Sequence, residues 1–263
     1  MLLLSLVLAI EYRAVSNIGN GQSNYCLLFN GEALIINPAF LSNCGFSYSN
    51  QQIDVHSREY EQYKYEYFTL SGFAYGSVHY KDKTNSNLYD VNLMGFGMQI
   101  KEGIRWGINY QQISMLQGTA NYTSWTTKAG FNYLAGFPFK MLIGITMENV
   151  IKDAYTPEAL DLSPIFGLSI GTIPLENVFF TNAVSYKRKA GETATFSSGL
   201  TLMLDKDLAV MCGINNNGYS AGMEVPFGFA KFAKLGKLSY SILMPYDVRQ
   251  EIRYYFAYTL GTF

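Results

Sequence analysis

Tyr219-Ser220-Ala221-Gly222-Met223-Glu224-Val225-Pro226-Phe227-Gly228-Phe229 alternates two kinds of residue with a period of two. Tyr219, Ala221, Met223, Val225, Phe227 and Phe229 share one parity, and Ser220, Gly222, Glu224, Pro226 and Gly228 hold the other. A period of two puts successive side chains on opposite faces of a strand. One face is greasy and aromatic; the other is small, polar or charged. Lipid outside and water inside is the environment that suits both faces, as in a transmembrane β-barrel.

The same alternation restarts along the chain, with turn signals between segments. In 138–149, Phe139, Met141, Ile143, Ile145 and Met147 oppose Lys140, Gly144, Thr146 and Glu148, with Leu142 as an exception. In 104–112, Ile104, Trp106, Ile108 and Tyr110 oppose Arg105, Gly107 and Asn109. In 122–133, Trp125, Thr127, Ala129, Phe131 and Tyr133 oppose Thr126, Lys128, Gly130 and Asn132. The second sets are expected to line the lumen. Strands are expected over about 45–54, 65–80, 88–100, 104–116, 122–134, 138–149, 161–173, 176–187, 194–204, 207–215, 218–229, 235–245 and 250–263. Asp205-Lys206-Asp207, Asn215-Asn216-Asn217-Gly218 and Lys101-Glu102-Gly103 suit tight hairpins. Longer polar loops are read at 55–64, 81–87 and 150–160, giving one end short turns and the other long loops. Thirteen segments is an odd number, and a bacterial single-chain barrel closes on an even one. Either one segment is miscounted or part of the first forty residues adds a strand. The fold class is therefore all-β: a transmembrane antiparallel β-barrel of 12–14 strands, with fourteen preferred.

Composition agrees. Charged residues are 15% of the 263, against about a quarter in ordinary globular chains. The surplus lies in Tyr (21), Phe (18) and Gly (24), residues of aromatic girdles and close-packed barrel strands. A net charge of −1 without a basic run leaves no nucleic-acid footprint. The cluster Tyr60, Tyr63, Tyr65 and Tyr67 sits among Glu59, Glu61, Lys64 and Glu66. Those acids would repel a phosphate backbone, and the cluster is read as an aromatic belt at the membrane surface. No internal apolar run approaches the 18–20 or so residues of a membrane helix.

Residues 1–14, with the apolar run Leu2 to Ile10, are read as a signal peptide; a first strand is the other reading. Residues 15–43 form an N-terminal luminal segment of short helix and turn, with Pro38 breaking regularity, and 44–263 form the barrel. Three cysteines cannot all pair within the chain; Cys26 and Cys44 could bridge, or all three are small apolar thiols. No Cys-x-x-Cys spacing supports zinc, and neither metal nor cofactor is implied. The two histidines, His56 with Asp54 and His79 with Asp82, belong to no barrel-enzyme motif, so an enzyme is not expected.

Asn17-Ile18-Gly19-x-Gly21 followed by Gly31-Glu32-Ala33-x-x-x-Asn37-Pro38-Ala39-x-Leu41 resembles the N-terminus of the PorV/PorQ group of FadL-like outer-membrane barrels. Gly144-Ile145-Thr146-Met147-Glu148-Asn149-Val150 and Gly236-Lys237-Leu238-Ser239-Tyr240-Ser241 resemble strand segments of the same group. The resemblance implies a bacterial outer-membrane location, with outer-membrane lipid as surroundings. It implies either binding and passage of hydrophobic, fatty-acid-like small molecules or a non-enzymatic role beside type IX secretion-system proteins. It makes Asn37, Pro38 and Ala39 part of a luminal hatch; a structural cap on the barrel is the alternative. Cys44 to Gln52 would be the first strand. Arg105, Lys128, Lys140, Glu148 and Glu224, with Arg253, are candidates for a luminal charge network, or for plain salt bridges across the wall. Phe263 falls on the wrong parity for the terminal strand, so a bulge near Gly261 is expected.

Overall fold

The computed structural model describes residues 33–53, 60–82, 87–136, 140–157, 160, 162–175, 178–187, 193–204, 208–216, 218–227, 236–247 and 252–261. One helical turn, α1 (Ala33–Ile36), leads into a 3-10 segment (Pro38–Asn43). Fourteen strands follow: β1 (Ser47–Ile53), β2 (Tyr60–Leu70), β3 (Phe73–Asp82), β4 (Leu88–Lys101), β5 (Ile104–Gln117), β6 (Ala120–Ala135) and β7 (Lys140–Lys152). The second half holds β8 (Ile165–Leu175), β9 (Val178–Lys187), β10 (Thr193–Met203), β11 (Ala209–Asn215), β12 (Gly218–Phe227), β13 (Gly236–Pro245) and β14 (Arg253–Gly261). Each strand pairs antiparallel with its neighbours in sequence, and β14 pairs with β1 from Ser47↔Gly261 to Ile53↔Tyr255. The closed ring leaves no sheet edge in lipid.

The alternation places side chains as a lipid-facing barrel requires. Tyr219, Met223 and Val225 on β12 are exposed, while Ser220 on the other parity is buried. Ile145 and Met147 on β7, and Phe256 and Leu260 on β14, also stand outside, whereas Thr146 and Tyr255 are inside.

The fourteenth strand comes from splitting one expected segment. The stretch 65–80 is a hairpin, β2 and β3 joined at Ser71–Gly72. Both turn residues have positive φ, +44° for Ser71 and +90° for Gly72, as the tight primed hairpin turn demands. Gly72 O accepts from Gly97 N at 2.8 Å, so the turn is also stitched to β4. The loops expected at 55–64, 81–87 and 150–160 are correspondingly shorter, because β2 begins at Tyr60, β3 runs to Asp82 and β7 to Lys152. The first strand starts at Ser47 rather than Cys44. The signal segment, Cys26 and Phe263 lie outside the described residues.

Replacing Gly72 by valine should cost about 1–3 kcal/mol through the positive φ alone. A Cβ there would also meet Gly97 O at 2.8 Å. A lower urea midpoint for the barrel in lipid vesicles, with Ser71→Gly unchanged or higher, checks this.

Candidate functional site

The cross-strand register sorts the luminal face of β2 to β6 into levels. The lower end is taken as the one carrying the Ser71–Gly72 turn. The lowest relevant level is a row of glycines, Gly97↔Gly107 and Gly107↔Gly130, on three adjacent strands. The backbone of the 3-10 segment rests in this notch. A Cβ at Gly97 would meet Pro38 O at 2.5 Å, and one at Gly107 or Gly130 would overlap Pro38 or Asn37 more closely still. Ordinary side chains on this row would expel the segment.

Asn37 opens that segment. It is fully buried, with extended φ of −149° and ψ of 101°, so its side chain turns back as a cap. Asn37 Oδ1 accepts from Ala39 N at 3.1 Å and Nδ2 donates to Phe131 O on the wall at 3.4 Å. Pro38 at the first position loses nothing by lacking an N–H. At the far end Cys44 Sγ donates to Phe40 O at 3.6 Å, and burial pushes its thiol up to about 12.

The next level up is Ala74, Gly95, Asn109, Lys128 and Glu148. Leu34 fits over Gly95, where a Cβ would come within 2.5 Å of its Cδ1. The four-residue helical turn closes one bond of its own, Asn37 N to Ala33 O at 3.1 Å, and leaves the Leu34 and Ile35 carbonyls without intrahelical partners. The wall supplies them: Asn109 Nδ2 donates to Leu34 O, and Lys128 Nζ donates to Ile35 O at 2.7 Å. Lys128 Nζ also pairs with Glu148 Oε2 at 2.9 Å, with side chains 7% and 14% exposed. A cation at a helix C-terminus, neutralised by a carboxylate behind it, is the favourable order of charges.

Above this level the lumen becomes apolar on β2 to β5, while Thr126 and Ser124 on β6 stay buried and polar. Tyr67, Gly76, Leu93 and Gln111 form one row, Tyr65, Val78, Val91 and Ile113 the next, and Tyr89 and Met115 pair above them. Apart from Gln111 and the glycine, these are buried members of a hydrophobic cluster that also holds α1, Phe40 and Leu41. Tyr65 and Tyr67 thus point inward, their rings 4.9 Å apart, and are not an outer aromatic belt. Only the backbone of Tyr60 and Tyr63 is described.

The outer wall changes sign at the same height. Phe68, Tyr75, Met94 and Tyr110 form one outward row; Glu66, Ser77, Asn92 and Gln112 form the row above it. Higher still, His79 Nδ1 meets Asp90 Oδ1 at 2.6 Å, both well exposed, and Lys64 pairs with Glu66 at 2.6 Å. Tyr110 stacks on Trp125 at 6.0 Å near the border, as interfacial aromatics do. On this side the barrel is apolar outside and polar inside below the border, and the reverse above it.

The connection after β7 completes the apolar section. The β6–β7 register slips between Thr126 and Lys128, and Asn149 opposite takes a φ of +60°. Asn149 accepts from Thr126 Oγ1 at 2.9 Å and donates to Ser163 O at 3.0 Å, while Lys152 Nζ donates to Leu162 O at 2.6 Å. These bonds turn the connection inward, and Leu160 and Leu162 bury in the cluster.

Of the residues singled out from sequence, Asn37, Pro38, Ala39, Lys128 and Glu148 meet at the glycine and polar levels. Arg105 lies below them, its guanidinium 5.9 Å from the Phe40 ring centre and bonded to Asn132 Oδ1 at 3.4 Å. Glu224 is elsewhere on the wall, accepting from Ser239 Oγ at 3.2 Å, with Lys237 Nζ at 3.9 Å. Lys140 stands exposed at the start of β7, and of Arg253 only the backbone is described. One network does not join them. His79 is an outer-wall residue partnered by Asp90 rather than Asp82, and His56 lies outside the described residues. Among the described residues no cluster of His, Cys, Asp or Glu is arranged to hold a metal. Sequence reasoning took Asn109, Gly107 and Gly130 as plain lumen lining and did not single out Gln111 or Gly97.

No family model and no curated protein matches the sequence. Solved structures do share its fold. The Ralstonia pickettii toluene transporter TbuX superposes with a TM-score of 0.67 over 97% of this chain and 100% of its own, at 8% identity. The Pseudomonas putida toluene transporter TodX gives 0.62 over 95% and 97% at 10% identity. A Pseudomonas aeruginosa FadL homologue gives 0.56 over 93% and 97% at 10% identity. The barrel is FadL-like in fold.

Two predictions follow from these levels. Lys128→Met strands Glu148 and the Ile35 carbonyl, and should cost about 3–5 kcal/mol. The double variant Lys128→Met/Glu148→Met should recover much of that loss in urea titrations of the vesicle-bound barrel. Across the membrane border, Met98→Arg should cost about 2–4 kcal/mol and Asn92→Arg about 0–1 kcal/mol in the same assay.

Proposed function

We propose that this protein binds hydrophobic small molecules and passes them across a bacterial outer membrane, without catalysing a reaction. The observation that carries the reading is the inverted upper half of β2 to β5. An outward-polar, inward-apolar wall standing above the membrane border offers an apolar molecule a dry surface before it meets lipid. A channel for ions or sugars would need the opposite lining. The toluene transporters TbuX and TodX share the fold, and their named cargo is of the same apolar class.

In this reading the segment containing Asn37, Pro38 and Ala39 is the hatch beneath the apolar section, held by removable polar bonds to Asn109, Lys128 and Phe131. Residues 1–14 are the signal peptide, 15–43 the luminal segment and 44–263 the barrel. The finer assignment to the PorV/PorQ group, with secretion-system proteins as partners, rests on short sequence motifs alone. No feature of the described surface favours a protein partner over an apolar molecule.

Uptake of labelled toluene by cells of an outer-membrane host that lacks hydrocarbon channels tests the reading. Expression should raise the initial rate several-fold. Val78→Thr/Val91→Thr, which makes the apolar section polar at nearly constant volume, should abolish the gain while the barrel still folds. A rate equal to that of the empty host would rule the reading out.

A further inference from the structure

Gln111 is 1% exposed, in a luminal row that runs from Tyr67 through Leu93 to Thr126 on β6, whose hydroxyl already donates to Asn149 Oδ1 at 2.9 Å. Its orientation is not free. Leu34 O can only accept, so the Asn109 amide must present its NH2 there. Lys128 N can only donate, and it reaches Asn109 Oδ1 at 3.1 Å, which fixes the other end of the same amide. Gln111 stands 3.2 Å from that oxygen and must therefore turn its own Nε2 toward it. The relay that begins at the luminal segment ends in an oxygen, Gln111 Oε1. It is buried and has no hydrogen-bond partner among the described residues. A buried acceptor left in this condition is costly, and a native protein keeps few of them.

The surroundings define what would satisfy it. Leu93 lies opposite on β4, and Ile113 is the next residue on the same face of β5. Tyr65, Tyr67 and Tyr89 belong to the same cluster. Charge is held elsewhere: Lys128 Nζ is already shared between Glu148 and Ile35 O, Lys152 Nζ donates to Leu162 O at 2.6 Å, and Arg105 lies below the luminal segment against Phe40. A carboxylate would bring a second acceptor to an acceptor and find no cation. A plain hydrocarbon would leave the oxygen as it is.

We infer that Gln111 Oε1 is the polar contact of the apolar section. It selects an uncharged apolar molecule carrying one hydroxyl, such as a phenol, over the corresponding hydrocarbon or carboxylate. This rests on the hydrophobic-passage reading above and narrows its cargo.

Four probes of one shape test it: p-cresol, 4-methylanisole, toluene and 4-methylbenzoate, titrated against the full-length barrel in lipid nanodiscs, with empty nanodiscs subtracted. p-Cresol donates a hydrogen bond; 4-methylanisole carries the same oxygen without the proton. p-Cresol should bind about tenfold more tightly than 4-methylanisole or toluene, and 4-methylbenzoate should bind weakest. Gln111→Leu should bring p-cresol to the level of toluene and leave toluene unchanged. Equal binding of p-cresol, 4-methylanisole and toluene by the natural protein overturns the inference while sparing the passage reading. That comparison needs no variant, so a Gln111→Leu protein that fails to fold does not protect the idea. A p-cresol preference that survives in a folded Gln111→Leu protein also overturns it. Binding of none of the four removes the passage reading itself.

Discussion

A backbone segment can cross the interior of this barrel only because three adjacent strands carry no side chain at one level. The Gly97–Gly107–Gly130 row lets the Pro38 carbonyl and the Asn37 amide lie directly on the wall. Everything above depends on that approach. It brings the carbonyls of α1 to the level where Asn109 and Lys128 can donate to them, and it sets Leu34 and Phe40 beneath the apolar rows. Enclosed backbone must be satisfied from the wall when water is excluded. The polar residues of this lumen are therefore anchors for a segment at least as much as the lining of a pore.

The barrel was legible in the sequence because a period of two is a local property. Tyr219 to Phe229, or Phe139 to Glu148, needs no distant partner to reveal its faces. The missing strand was a local signal overlooked: Ser71-Gly72 interrupts 65–80 with a dipeptide that favours positive φ, but the alternation continues so cleanly across it that the hairpin reads as one strand. The inward turn of Tyr65 and Tyr67 was hidden for a different reason. Parity separates two faces without saying which one meets lipid. Only the comparison of β2 to β5 by register shows that Glu66, Ser77, Asn92 and Gln112 form a border across which the answer reverses.

The same limit governs the site. Parity put Arg105, Lys128, Lys140, Glu148 and Glu224 inside, but a luminal residue also has a height and a position round the ring. Those depend on which residues pair across strands, and only Lys128 and Glu148 share a level on neighbouring strands. Asn37 and Pro38 drew notice through a motif, although their fit to the wall is written in glycines sixty to ninety residues away. Gln111 gave no signal, since a polar residue at an inward position is what any barrel strand shows.

The border on the outer wall also bears on how the chain assembles. Above it, Val91, Leu93 and Ile113 bury inside while Asn92 and Gln112 face out, which is the rule for a water-soluble β-protein. Below it, Trp106, Phe131 and Ile145 need lipid before the outward arrangement is favourable. One continuous set of strands thus obeys two opposite solvents. Hydrophobic collapse in water drives the upper rows together in their native sense, and drives the lower rows inside out. On β2 to β5, any factor that escorts the chain to the membrane has only the lower half to shield.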